Sequence, residues 1–116
     1  MSQEDVEQIA FKMISNSGEA RSKIVEALDL CEEKKYEKAK ELLKEAREHT
    51  KNAHDSHRKN LQQSAAGEES DINLLLIHAM DLMLVAESET EMAHRIINLE
   101  RSRDELMEKI INNEGD

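Results

Sequence analysis

The chain contains no proline, so nothing in its 116 residues stops a helix by steric clash or by removing a backbone donor. Aromatic residues are nearly absent too: Phe11 and Tyr36 alone, 2% of the chain. Glycine occurs only at positions 18, 67 and 115. A β-sandwich or barrel needs turn residues and β-branched or aromatic strands, which this composition does not supply. A Gly-rich phosphate-binding loop of the Rossmann or P-loop kind has no counterpart. Cys31 is the single cysteine, so no internal disulfide can form. That suits a reducing cytoplasm, and Cys31 is expected to be a small, inert core residue. The most apolar window, 72–86, is too short and too polar at Asn73, His78 and Asp81 to span a bilayer. The N-terminal MSQEDVEQIA is acidic and lacks an apolar stretch, so no signal peptide and no membrane insertion are expected.

What remains is a charged, helix-forming chain. Charged residues make up 36%, with 16 Lys and Arg against 26 Asp and Glu, a formal net charge of −10. Nucleic-acid binding needs clustered positive charge, and an anionic membrane surface would repel such a protein.

The apolar pattern predicts three helices, about 3–34, 36–66 and 71–110, in one domain over residues 1–116. Ser2 with Asp5 resembles a capping box. Val6, Ile9, Ala10, Met13, Ile14, Ile24, Ala27, Leu28 and Cys31 then recur at threes and fours. Gly18 falls inside this helix, where it is expected to kink the helix or admit a neighbouring backbone. The pattern fades through Glu32–Lys35. In the second helix Tyr36, Ala39, Leu43, Ala46, Thr50, Ala53, His57, Asn60 and Ser64 form a heptad seam that turns polar in its second half. That end either frays into solvent or lines a polar site or an oligomer interface. Gly67 is placed to cap the second helix, and Ser70 or Asp71 the third. Long helices joined by short loops make an all-α, up-down-up antiparallel three-helix bundle.

Residues 72–86 read INLLLIHAMDLMLVA, apolar except at Asn73, His78 and Asp81. A helix apolar nearly all round must be covered all round, and two partner helices cannot do that. One face is therefore expected to pack inside the subunit and another against a second subunit. His78 and Asp81, three apart, share a face. Carboxylates meeting near a symmetry axis would need shared protons or a cation. Metal binding by His78 alone is a weak reading, because no HExxH or Cys/His cluster accompanies it. An imidazole nitrogen on a partly open surface can instead attack phosphorus, a transfer that needs little beyond positioning and hydrogen bonds. His49 and His94 lie among charged neighbours and are expected at the surface. His54 and His57 are candidates to line a site around His78. The methionines are expected to be plastic core filler.

From about Val6 to Ile97 the chain resembles the IIA component of the lactose/cellobiose (diacetylchitobiose) branch of the bacterial sugar phosphotransferase system. The first helix carries Asn16-Ser17-Gly18-Glu19-Ala20-Arg21 and then Glu26-Ala27-Leu28. The second carries Tyr36, Ala39, Ala46 and the pair Ala53-His54. Gly67 stands at the turn into the third helix. That helix carries Leu75-Leu76-Ile77-His78-Ala79-Met80-Asp81-Leu82-Met83. The resemblance implies a homotrimer. It implies that His78 accepts a phosphoryl group from phospho-HPr and passes it to a cysteine of the IIB component, which phosphorylates the sugar imported by the membrane component IIC. It implies that Asp81 of three subunits holds a divalent cation, Mg2+, on the trimer axis.

The sequence departs from the family pattern beside the site. Met80 stands for Gln, Leu82 for His, His57 for Gln, Arg58 for Thr and Ser64 for Glu. Met80 and Leu82 motivate an alternative, a catalytically silent or regulatory three-helix protein. A two-component histidine phosphotransfer domain fits less well, because Asp81 and Leu82 stand where such domains usually carry Lys-Gly. A structural coiled-coil adaptor would explain the seam but not His78 and Asp81.

Overall fold

The computed structural model describes residues 3–65 and 74–114 as three helices: α1 (Gln3–Glu32), α2 (Tyr36–Ala65) and α3 (Leu74–Glu114). The expected cap at Ser2 and the joint around Gly67, Ser70 and Asp71 lie outside the described residues. α2 runs antiparallel to α1, since Asn16 meets His49 and Lys23 meets Glu45. α3 returns beside α1, where Arg21 meets Glu89. The result is a rod with extents of 71 × 21 × 18 Å.

Each helix buries one seam of period three and four. In α1 the seam is Val6, Ala10, Met13, Ser17, Ala20, Ile24, Ala27 and Cys31; in α2 it is Ala39, Leu43, Ala46, Thr50, Ala53 and Asn60; in α3 it is Leu76, Ala79, Met83, Ala86, Thr90, Ala93 and Ile97. A sustained heptad is the sequence form of left-handed, near-parallel helix packing. Alanine supplies much of all three seams, which lets the helix axes approach closely but limits the apolar area buried.

The core divides into two clusters. One joins Val6, Ala10, Met13, Ala53, Leu76, Ala79 and Met83 at the end where α3 begins. The other joins Ala20, Ile24, Ala27, Cys31, Ala39, Leu43, Ala46, Ala86, Ala93 and Ile97 toward the α1–α2 turn. Ser17 and Thr50 fall between them along their seams. The Thr50 hydroxyl donates to the Arg47 carbonyl at 2.9 Å. At the same level Asn16 Oδ1 lies 2.9 Å from His49 Nδ1.

The α1–α2 turn has no glycine. Lys34 adopts the left-handed conformation, with φ of 65°. Its N–H donates to the Cys31 carbonyl at 3.0 Å, and the Lys35 N–H donates to the Leu30 carbonyl at 2.9 Å. These paired bonds are a Schellman cap, built on a lysine where glycine is the usual occupant. Gly18 does not admit a neighbouring backbone as expected: a Cβ there would meet no atom within 4 Å, and α1 continues through it.

α3 has two apolar faces. Opposite its buried seam, Leu74, Ile77, Leu84, Val85, Met92, Ile96 and Leu99 are all exposed in the single chain. Successive side chains advance about 100° around a helix, which sets this outer stripe nearly diametrically across from the inner seam. The sequence-based expectation that α3 carries more than one apolar face is met.

Candidate functional site

His78 and Asp81 stand on the outer side of α3, both exposed, while Leu76, Ala79 and Met83 between and around them are buried. The helical period does this: residues 76, 79 and 83 turn inward, and 78 and 81 turn out with Ile77, Leu84 and Val85. Asp81 is thus a carboxylate set among the exposed apolar side chains of Ile77, Leu84 and Val85. Neither His78 nor Asp81 has a hydrogen-bond or ion-pair partner among the described residues. The His78 ring is open to approach by another molecule.

The neighbours expected to line the site are distributed differently. Leu82, half-buried, follows His78 by one turn on the same side of α3. Met80 lies about 200° around the helix from His78 and packs onto the cluster of Val6, Ala10 and Met13. His54 is engaged elsewhere: its Nδ1 lies 3.2 Å from Glu87 Oε1 across the α2–α3 groove. Glu87 is nine residues beyond His78, so His54 sits about 13 Å along the axis from the His78 level. Because α2 runs against α3, the step from His54 to His57 moves about 4.5 Å back toward His78. His57 is half-buried.

A groove of about 440 Å³ between α2 and α3 surrounds the His54–Glu87 pair. Arg47, Lys51, His54 and Arg58 line its α2 side, and Glu87, Thr90 and Glu91 its α3 side. Arg47 Nη2 reaches Glu91 at 3.4 Å, and Arg58 pairs with Asp55 at 3.1 Å. Lys40, Lys44, Arg47, Lys51, His54 and Arg58 recur at fours and threes along one face of α2. The sequence carried this basic stripe in plain view, hidden by the strongly acidic total.

The motif Asn16–Arg21 proves structural in this subunit. Ser17 and Ala20 are seam residues, and Asn16 bonds His49 and the Lys12 carbonyl. Arg21 forms a two-pronged pair with Glu89 at 3.0 and 3.1 Å, tying α1 to α3. Both partners are substantially exposed, so the pair contributes at most about 1 kcal/mol.

No group of three His, Cys, Asp or Glu side chains within one chain can hold a metal ion among the described residues. No described helix is long and apolar enough to cross a membrane.

A second cluster occupies the turn end of the bundle. The Tyr36 hydroxyl donates to the Asp104 carboxylate. That bond, with burial second, raises the Tyr36 phenol to about 12. Burial, with Glu100, Asp104 and Glu32 nearby, also pushes the Cys31 thiol up. Cys31 is buried and held in its unreactive thiol form, as expected of a core cysteine.

Residues 8–101 match the family described as "PTS system, Lactose/Cellobiose specific IIA subunit". The lichenan-specific phosphotransferase enzyme IIA component of Bacillus subtilis (strain 168) is 34% identical over 112 residues, 97% of this chain and 96% of that protein. The crystal structure of PtcA from S. mutans superimposes with a TM-score of 0.84 at 35% identity, over 87% of this chain and 99% of that one. The PTS cellobiose-specific enzyme IIA from Bacillus anthracis gives a TM-score of 0.81 at 36% identity, over 90% and 94%.

Proposed function

Since this chain belongs to the lactose/cellobiose-specific IIA family of the phosphotransferase system, we propose that it is a cytoplasmic phosphocarrier with His78 as the group that carries the phosphoryl. The observation that carries this is the placement of His78: an exposed, unpartnered imidazole one turn from Asp81 in a stretch otherwise made of apolar residues. A purely structural helix has no use for it.

In the forward step an imidazole nitrogen of His78 attacks the phosphorus of phospho-HPr. A nitrogen–phosphorus bond forms on His78 as the one on the donor histidine breaks, and the donor imidazole leaves. In the second step a cysteine thiolate of the IIB component attacks the same phosphorus and releases His78 unchanged. IIB then serves IIC, during uptake of a lactose-, cellobiose- or chitobiose-type disaccharide. The protein turns over nothing alone; it is an enzyme only as one link of a relay. Such transfers rest on positioning and charge stabilisation. The exposed face around His78 leaves room for a partner, and Leu82 one turn away offers that phosphoryl group no hydrogen bond.

The working assembly is a homotrimer in which the outer stripes of three α3 helices meet. The exposed Leu74, Ile77, Leu84, Val85, Met92, Ile96 and Leu99 support this, because so long an apolar stripe is not left in water. Asp81 falls within that stripe, so three carboxylates converge where the stripes meet. A hard divalent cation such as Mg2+ suits oxygen ligands of this kind, and three copies of Asp81 would hold it. Bound there it would neutralise their mutual repulsion and take no part in transfer.

The alternative, a silent or regulatory relative, draws on Leu82, which puts an apolar side chain one turn from His78; Met80 faces the core of its own subunit instead. Incubation with phosphoenolpyruvate, enzyme I, HPr and a IIB component separates the two. A phosphocarrier delivers label to the IIB cysteine, and His78→Ala abolishes delivery. A silent relative binds a partner but passes nothing on.

A further inference from the structure

Of the three described helices, α2 alone has a positive formal charge. It carries seven Lys and Arg against five Asp and Glu, where α1 carries three against seven and α3 four against nine, in a chain of net charge −10. The excess is gathered on one side. Lys40, Lys44, Arg47, Lys51, His54 and Arg58 fall within an arc of about 80° and make a strip about 27 Å long. The carboxylates of α2 lie outside that arc.

The strip forms one wall of the groove between α2 and α3. The cavity of about 440 Å³ takes in Arg47, Lys51, His54 and Arg58. A second cavity, of about 240 Å³, lies beside Lys40, Lys44 and Arg47, so Arg47 joins the two. Asp55, Glu87 and Glu91 are the carboxylates of this lining, against five Lys and Arg, which leaves the groove net positive. Those three are held by Arg58, His54 and Arg47 in exposed pairs, which another carboxylate can displace. Lys40, Lys44 and Lys51 have no ion-pair partner among the described residues. His78 lies elsewhere. Nine residues, two and a half turns, separate it from Glu87, so the two point to opposite sides of α3.

We propose that the α2–α3 groove is a docking surface, separate from His78, for an acidic helix of another protein. Charge complementarity names that occupant. Cations spaced four and three apart along a line match carboxylates on one face of a helix, which recur at the same spacing. Attraction to one strip of an otherwise acidic protein also fixes where such a partner lands. A nucleic acid fits worse, because α1 and α3 beside the strip are both acidic and repel flanking phosphates. A second copy of this chain carries the same charge of −10 and is repelled as a whole. Docking there does not depend on His78 acting as the phosphoryl carrier, and it leaves the His78 ring free.

The probe is a fluorescein-labelled helical peptide of repeating Glu-Ala-Ala-Ala-Glu-Ala-Ala, and binding to the full chain is read by anisotropy. The parent should bind it at low ionic strength, and raising salt to physiological strength should weaken binding about tenfold. Lys44→Glu/Lys51→Glu should weaken it by about tenfold or more, and Lys44→Gln/Lys51→Gln by less. Lys12→Glu/Lys109→Glu makes the same change in net charge on α1 and near the end of α3, and should leave binding within about threefold of the parent. Helical circular dichroism and phosphoryl uptake from phospho-HPr, read on the same samples, should be unchanged in all variants, which separates loss of docking from loss of the fold or of the His78 site. Equal losses in the two Glu pairs would show that the peptide reads net charge alone. An oligodeoxynucleotide of equal charge bound as tightly would show simple anion exchange. A Lys44→Glu/Lys51→Glu chain that sediments as a different assembly from the parent would make a second copy the occupant. Any of these overturns the proposal, as does a parent that binds no peptide at about 100 μM.

Discussion

The Tyr36 hydroxyl donates to the carboxylate of Asp104, 68 residues further along the chain, and so pins α3 to the first residue of α2 at the point where α3 leaves the bundle. That bond, together with Arg101–Glu37, closes the rod at its turn end.

The Tyr36–Asp104 bond makes stability depend on alkaline pH. The phenol is raised from 10 to about 12 in the folded chain, first by the bond to Asp104 and then by burial. Between those values the unfolded chain has lost the proton that the folded chain keeps. The stabilisation is therefore complete below pH 10 and is lost as pH rises through 12. Urea midpoints measured from pH 8 to 12 should fall more steeply for the parent than for Tyr36→Phe. Cys31 contributes a parallel slope in both proteins, since its thiol is also raised. Equal slopes would mean the bond does not form in solution.

The turn at Lys34 stores strain that glycine would release. A non-glycine residue at positive φ costs on the order of 1 kcal/mol. Lys34→Gly should stabilise the chain by about that amount, a rise of roughly 3–5 °C in Tm for a domain of this size. Lys34→Ala should give no such gain. A glycine variant that melts below the parent would contradict the cap described here.

Asp81 should behave as a charge that destabilises its own assembly until neutralised. In the presence of a chelator, Asp81→Asn should melt higher than the parent, because the proposed trimer would no longer bring three carboxylates together. Added Mg2+ should raise the parent's Tm and leave the variant's unchanged. If the variant responds to Mg2+ as the parent does, Asp81 is not the ligand.

The seams were legible because alanine, leucine and threonine repeat at threes and fours with no proline or internal glycine run to break the period. The sharing of a face by His78 and Asp81 followed from a spacing of three. What escaped depends on register between helices, which packing decides. Nothing local in the sequence ties His54 to Glu87, 33 residues away, or Arg21 to Glu89. His49 and His94, expected at the surface from their charged neighbours, are instead half-buried, held by Asn16 and Asn98 respectively. The α1–α2 turn gave only a fading of the apolar pattern, since its left-handed residue is a lysine and carries no glycine signal.

The role of His78 is tested most directly by intact-mass measurement after incubation with phosphoenolpyruvate, enzyme I and HPr. The parent chain should gain about 80 Da, one phosphoryl group. The adduct should be labile to acid, as phosphohistidine is, and absent from His78→Ala, while His54→Ala and His57→Ala still acquire it. Efficient phosphorylation of His78→Ala, or no mass gain by the parent, would contradict the assignment of His78 as the phosphoryl carrier.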